Sequence, residues 1–137
     1  MSLLTTKGVY GLMAILEISK GDRSNPISLK DISLAINVSK NYLEQLLNSL
    51  RKDGIVGSIK GIKGGYYLSK PIDEITLYEL FSSLENEFNL INIELENTLY
   101  NLFFKEYNDK LKELFMQPLS SIKIDQAQAG KYLNYII

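Results

Sequence analysis

The stretch Ser28-Leu29-Lys30-Asp31-Ile32-Ser33-Leu34-Ala35-Ile36-Asn37-Val38-Ser39-Lys40-Asn41-Tyr42-Leu43-Glu44-Gln45-Leu46-Leu47 holds two helical patterns with almost nothing between them. Ser28, with Asp31 three residues later, has the form of a capping pair that opens a short helix through Ile32 and Ala35. Asn37 suits a left-handed C-cap, because its short amide tolerates positive φ, and Ser39 suits the next N-cap. Two helices parted only by Asn37-Val38-Ser39 have helix-turn-helix spacing. The helix after the turn is expected from Lys40 to about Lys52, with Leu43, Leu46, Leu47 and Leu50 on one face and Gly54 as a C-cap behind the cations Arg51 and Lys52. Lys40, Asn41, Glu44, Gln45 and Asn48 occupy its other face.

Upstream, Val9, Leu12, Met13 and Leu16, with Ile15 and Ile18 alongside, give an amphipathic helix from Thr5 to about Lys20, which Gly21 ends. Gly21 to Pro26 reads as a loop. Downstream of Gly54 the period changes. Ile55 to Ile59 and Tyr66 to Ser69 are β-branched or aromatic runs joined by Lys60-Gly61-Ile62-Lys63-Gly64-Gly65, a hairpin with a basic, glycine-rich tip. Pro71 closes the hairpin, and Thr76 with Glu79 forms a capping box for a helix through Leu77, Leu80, Phe81 and Leu84. The compact unit is expected to end near Glu85, followed by a polar linker over 86–92.

Leu95, Leu99, Leu102, Phe103, Tyr107, Leu111, Leu114 and Phe115 then keep helical spacing up to Pro118. A helix from about Asn92 to Gln117, about 25 residues and roughly 38 Å long, would match the whole domain in length and project from it. From Leu119 to Ile137 the pattern is ambiguous, with a candidate N-cap at Ser120 or Ser121, small residues from Ala127 to Gly130 and an apolar end from Tyr132. The expected fold class is mainly α with a small β-hairpin wing: a winged helix-turn-helix over 1–85, a linker and long C-terminal dimerisation helix over 86–117, and a tail over 118–137.

Composition limits the chemistry. The 137 residues are 45% apolar and 23% charged, those of one ordinary globular domain. There is no His, Cys or Trp, which excludes Ser-His-Asp and Cys-His nucleophiles, thiolate or imidazole metal sites and disulfides. Acid-base work by paired carboxylates survives that exclusion, but the acids sit on expected helix surfaces without a cleft, so no enzyme is expected. The start carries no apolar targeting region and no run is long enough to span a membrane, so a cytoplasmic protein is expected. The net charge of -1 hides an uneven distribution. Residues 1–70 hold ten Lys and Arg against five acids, a balance of +5, and residues 71–137 hold five Lys against eleven acids, a balance of -6. A polyanion partner for the first half is one reading, and two solvated surfaces is the other.

Helix, short helix, turn, helix and basic hairpin fit duplex DNA physically. A major groove ~12 Å wide admits one helix whose first residues face base edges. Asn41 or Gln45 can pair with adenine, Glu44 can accept from cytosine, and Ser39 can serve either. Polar residues also cover the outer face of any helix, and helical hairpins of this shape occur in proteins that bind only proteins. At the hairpin tip, Lys60, Gly61 and Lys63 offer two cations and an unobstructed backbone to phosphates or a minor groove. The alternative there is an ordinary turn with solvated lysines. No phosphate-loop pattern is present.

Leu4-Thr5-Thr6-Lys7-Gly8-Val9-Tyr10-Gly11, Tyr42-Leu43-Glu44-Gln45-Leu46-Leu47, Leu50-Arg51-Lys52-Asp53-Gly54-Ile55-Val56 and Lys60-Gly61-Ile62-Lys63-Gly64-Gly65-Tyr66-Tyr67-Leu68 together resemble the Rrf-two family of bacterial transcription regulators. The resemblance spans residues 4 to about 85 through four separated motifs in order. It implies a dimeric winged helix-turn-helix repressor or dual regulator, with the third helix in the major groove, the wing in the minor groove and a long helix building the dimer. By position it implies DNA contacts at Tyr10, Ser39, Asn41, Tyr42, Glu44 and Lys60. Thr5, Lys7, Ser28, Lys40, Gln45, Gly61 and Lys63 complete the candidate set. The wing has Lys60-Gly61 where the family usually has Arg-Gly, and Val9 stands where Arg is frequent. Lysine lacks the planar, weakly hydrated fork that suits a narrow groove, so site preference is expected to differ.

Several members carry three Cys between the fourth and the long helix, where they hold an iron-sulfur cluster. Residues 85–100 here hold none, so no cofactor is expected. Glu85, Glu87, Glu94 and Glu96 are weak candidates for a hard cation, since carboxylates at helix ends are ordinarily solvated or complement the dipole. As a cysteine-free chain it looks closer to the CymR-like branch, for which the resemblance implies control by another protein. The expected partners are double-stranded DNA, a second copy of the chain and a regulatory partner protein. Leu95, Leu99, Leu102, Phe103, Leu111 and Leu114 are the expected dimerisation stripe, since an uncovered stripe of that length would expose an apolar patch. Two readings compete with these: a helix folded back on its own domain, and a winged-helix adapter that binds proteins without sequence-specific DNA binding.

Overall fold

The computed structural model describes residues 2–85 and 88–122, with five helices and one two-stranded sheet among them. Helix α1 (Thr6–Ile18) starts at the N-cap Thr5, whose hydroxyl oxygen accepts from the Lys7 amide. It buries Gly8, Gly11, Ala14, Ile15 and Ile18, whereas Val9 and Met13, expected on the apolar face, are exposed. Helix α4 (Leu77–Glu85) explains the difference. A Cβ on Gly11 would overlap the Leu84 side chain, so the glycine face lets the two helices close and becomes the inner one.

Helix α2 (Leu29–Ile36) and helix α3 (Lys40–Lys52) stand where the caps place them. The Ser28 Oγ accepts from the Asp31 amide at 3.1 Å, and the Ser39 Oγ accepts from the Tyr42 amide at 3.2 Å. Between them Asn37 has φ 56°, the left-handed stop that its amide side chain permits. Helix α3 ends with the Gly54 amide donating to Arg51 O (3.1 Å) and the Ile55 amide donating to Leu50 O (2.9 Å), the second of which the positive φ of 75° at Gly54 brings into place. Ile55 and Leu50 are both fully buried, the apolar contact that accompanies such an ending.

Strands β1 (Val56–Ile59) and β2 (Gly65–Leu68) form an antiparallel hairpin, Val56 opposite Leu68 and Ile59 opposite Gly65. A third segment was not visible in the sequence. Ile27, just beyond the expected loop, exchanges both backbone bonds with Tyr66 at 2.9 and 2.8 Å, which ties the hairpin to the entrance of α2. After a 3-10 turn at Ile72–Glu74, Thr76 Oγ1 accepts from the Glu79 amide at 3.0 Å. Only half of the expected capping box forms, because the Glu79 carboxylate accepts from Lys70 Nζ instead.

The long helix is shorter than expected. Helix α5 (Thr98–Phe115) has 18 residues, ~27 Å. Asn97 caps it, accepting from the Leu99 and Tyr100 amides, so Leu95 lies ahead of the helix rather than on it. Its C-terminal end returns to the first unit: Phe115 packs edge-on against Phe81 and Phe88, with ring centroids 5.6 and 4.9 Å apart. Beyond it Leu119, in a 3-10 segment Leu119–Ile122, is fully buried and donates its amide to Ile75 O at 2.8 Å. The core therefore does not close at Glu85. Phe88 belongs to it although the expected linker contains that residue, and Leu119 belongs to it although the expected tail does. The apolar run from Tyr132, the small-residue region from Ala127 and Glu87 lie outside the described residues.

Candidate nucleic-acid interface

Helix α3 is fixed to the core by Leu43, Leu46, Leu47 and Leu50, which leaves Lys40, Asn41, Glu44 and Gln45 exposed along its outer side. Helix α1 holds its beginning. The half-buried Tyr42 meets the edge of Tyr10 at 6.1 Å between centroids, and its Oη donates to Thr6 Oγ1 at 3.4 Å. Lys7, Tyr42 and Gln45 share the wall of a small cavity of about 120 Å³ with Ser83 of α4. On the other side a larger groove of about 590 Å³ separates α3 from the hairpin, lined by Ser28, Glu44, Arg51, Ser58, Lys60, Gly61 and Tyr66 among others. Arg51 spans part of this groove, donating from Nη1 to Ser58 Oγ at 3.4 Å. The Tyr66 phenol is pushed above its ordinary range, first by burial and then by the Glu44 carboxylate, against the opposing Arg51 charge.

At the hairpin tip, Gly61 has φ 112° and its carbonyl accepts from the Gly64 amide at 3.0 Å. Lys60 and Lys63 are exposed on either side of this turn. Most of the candidate residues thus fall into two adjoining groups: Lys7 and Tyr10 meet Tyr42 and Gln45 at the α1–α3 junction, and Ser28, Glu44, Lys60 and Gly61 surround the α3–hairpin groove, whereas Ser39, Lys40, Asn41 and Lys63 line neither. Thr5 is already engaged, since its amide and hydroxyl donate to the Glu85 carboxylate at 2.8 to 2.9 Å. Ser28 and Ser39 spend a lone pair on their caps. Arg51, Ser58 and Tyr66 also line the α3–hairpin groove, although none of them is among the expected contact residues. For Arg51 the signal is present in the sequence, because Glu44, Asn48 and Arg51 follow i, i+4, i+7 on one side of the helix.

The expected dimerisation stripe divides. Leu99 (72%), Leu102 (60%), Phe103 (50%) and Leu114 (64%) are exposed, joined by Tyr100 and Tyr107, which were not in the expected set. Leu111 is instead half-buried against the chain's own core. Leu95 is held beside the helix, its amide donating to Asn101 Oδ1 at 3.1 Å. The helix folds back on its own domain only at its C-terminal end. Among the described residues no helix is long and apolar enough to cross a membrane.

Residues 4–127 match the Rrf2 (Rrf-two) family profile, described as iron-dependent transcriptional regulator. The chain is 34% identical over 138 residues to the HTH-type transcriptional regulator CymR of Bacillus subtilis, covering 97% of this chain and 99% of that one. It is 42% identical over 82 residues to the HTH-type transcriptional regulator IscR of Cronobacter sakazakii, covering 60% of this chain and 51% of that one. It superimposes on the solved structure of CymR, the global cysteine regulator of B. subtilis, with a TM-score of 0.76, covering 88% of this chain and 95% of that one. The mainly helical winged fold is therefore the fold of these regulators.

A thiolate-ligated iron-sulfur cluster does not fit the donor set. The chain contains no Cys and no His, and among the described residues no three Asp or Glu side chains gather closely enough to hold a metal ion. The 88–97 segment is secured by asparagines instead, the Leu90 amide donating to Asn108 Oδ1 at 2.8 Å and the Leu95 amide to Asn101. With the match extending from the α1 motif past the end of α5, the chain belongs to the Rrf-two family of helix-turn-helix transcriptional regulators.

Proposed function

We propose that this chain is a sequence-specific DNA-binding repressor that acts as a homodimer on a pseudo-palindromic operator, without an iron-sulfur cluster. The observation that carries the reading is the exposed polar side of α3 facing the basic hairpin across one groove, with the α3 leucines locked into the core. In this reading the unit through Glu85 binds DNA. Ser39, Lys40, Asn41, Tyr42, Glu44 and Gln45 meet the major groove, Lys60, Gly61 and Lys63 approach the adjoining minor groove, and Thr5, Lys7, Tyr10 and Ser28 flank them along the backbone. Leu99, Leu102, Phe103 and Leu114 pair with a second copy, since so many apolar side chains on one helix are not left in water. Two-fold pairing would set two α3 helices ~34 Å apart, or a small multiple of that, on one side of the duplex. Control then falls to a partner protein rather than to a redox centre, because no thiol or cluster ligand is present.

Selection of bound sequences from random duplex DNA tests the proposal. The wild type is expected to enrich an inverted repeat. Glu44→Ala or Gln45→Ala should change the preferred bases by ~1 to 3 kcal/mol at the affected position, whereas Lys63→Ala should weaken all duplexes and lower the salt slope by about one unit. Enrichment of no sequence would favour a protein-binding adapter.

A further inference from the structure

Ile62 stands at the tip of the β1–β2 hairpin with its entire side chain in water, at 106% relative exposure. Its backbone is confined. Gly61 holds positive φ, the Gly64 amide closes the turn onto Gly61 O, and a Cβ at Gly64 would overlap the Ile59 carbonyl. The two central positions of such a turn suit small polar residues, whereas a β-branched apolar side chain there buries nothing and gains nothing from the fold. Lys60 and Lys63 are exposed on either side of it. An apolar group straddled by two cations is complementary to a minor groove ~6 Å wide, where two phosphate ridges enclose walls of sugar.

We infer that Ile62 reads the minor groove, seated on its floor between Lys60 and Lys63 as an apolar probe that rejects the exocyclic amino group of guanine. The inference rests on the DNA-binding reading above and adds to it a specificity-determining residue. On an A·T pair the floor presents only acceptor atoms, whereas a G·C pair adds an amino donor that projects into the groove. Isoleucine covers that donor without accepting from it, leaving it cut off from water and unpartnered. The hydrogen bond from the Gly64 amide to Gly61 O closes the turn and presents the side chain outward.

Binding of the full-length protein to the selected operator tests this, with the base pairs under the hairpin supplied as A·T, as G·C, or as inosine·C, which lacks the guanine amino group. For the wild type, A·T and inosine·C flanks should bind alike and G·C about tenfold more weakly, the scale of one mismatched pair. Ile62→Ser should bring the three flanks within about twofold of one another while leaving the melting temperature unchanged, because the side chain touches nothing in the fold. Ile62→Leu should retain the discrimination. Inosine·C binding as weakly as G·C, or Ile62→Ser keeping the tenfold preference, overturns the assignment of Ile62 while leaving operator binding intact. A wild type that enriches no operator overturns the DNA reading, and this inference with it.

Discussion

Replacing Glu85 with alanine should detach the beginning of α1 from the end of α4. The carboxylate accepts from the Thr5 amide at 2.8 Å, from the Thr5 hydroxyl at 2.8 and 2.9 Å, and from the part-buried Gly8 amide at 3.1 Å. It thus does from eighty residues away what the glutamate of a capping box does locally, and adds a negative charge at the positive end of the helix. Water replaces the exposed Thr5 bonds, so most of the loss comes from Gly8 and the charge. A lost cap costs ~0.5 to 2 kcal/mol and the charge–dipole attraction ~0.3 to 1 kcal/mol, giving about 2 kcal/mol in all. For a domain of this size that corresponds to a Tm lower by about 7 °C. Urea unfolding at fixed protein concentration measures it, with Glu85→Gln losing about half as much because an acceptor remains. A Glu85→Ala protein within about 0.5 kcal/mol of wild type, the range of an ordinary surface change, refutes the tether.

Leu99→Asp with Phe103→Asp should give a folded monomer by sedimentation, with specific DNA binding greatly weakened because two half-sites are no longer engaged together. Leu119→Ala should lower stability by ~2 to 5 kcal/mol in denaturant unfolding, as for a buried core leucine. Tyr66, whose phenol is raised above 10.0 by burial and by Glu44, should show its ionisation above the ordinary tyrosine range as the component of an ultraviolet titration that Tyr66→Phe removes. Being raised in the fold, it holds its proton more tightly there than in the unfolded chain, so its contribution is intact below pH 10 and is lost as the pH climbs through the folded value; Tyr66→Phe should blunt that alkaline loss.

The helix-turn-helix was legible because its determinants are local. Ser28, Asn37 and Ser39 satisfy or release backbone groups within three residues of themselves, so the order of residues along the chain states the geometry. The candidate residues of α3 and the hairpin followed from the same local patterns and from the family motifs. What escaped depends on distant partners. The glycine side of α1 turns inward because Leu84 comes to meet it, and Ile27 becomes strand-like only because Tyr66 lies opposite. Apolar spacing carried the long helix back past Leu95, although Asn97 was available as a cap. Glu85 drew notice only as a weak cation ligand, whereas its carboxylate is occupied by the start of α1.

Helix α5 and the segment leading to it form a two-ply beam. Leu90 is fastened to Asn108 and Leu95 to Asn101, so the strand of chain climbing outward and the helix descending are laced together along their length. The beam is rooted where Phe88, Phe115 and Leu119 enter the core, and it is free at Thr98. Over ~27 Å, one degree of play at the root displaces the tip by about 0.5 Å. In a paired molecule the stiffness of the packing at buried Phe88 and Leu119 and half-buried Phe115, far from any base, would govern how much variation in half-site separation the two reading heads tolerate. A smaller residue at Phe115 would then broaden the range of operator spacings without altering which bases are read.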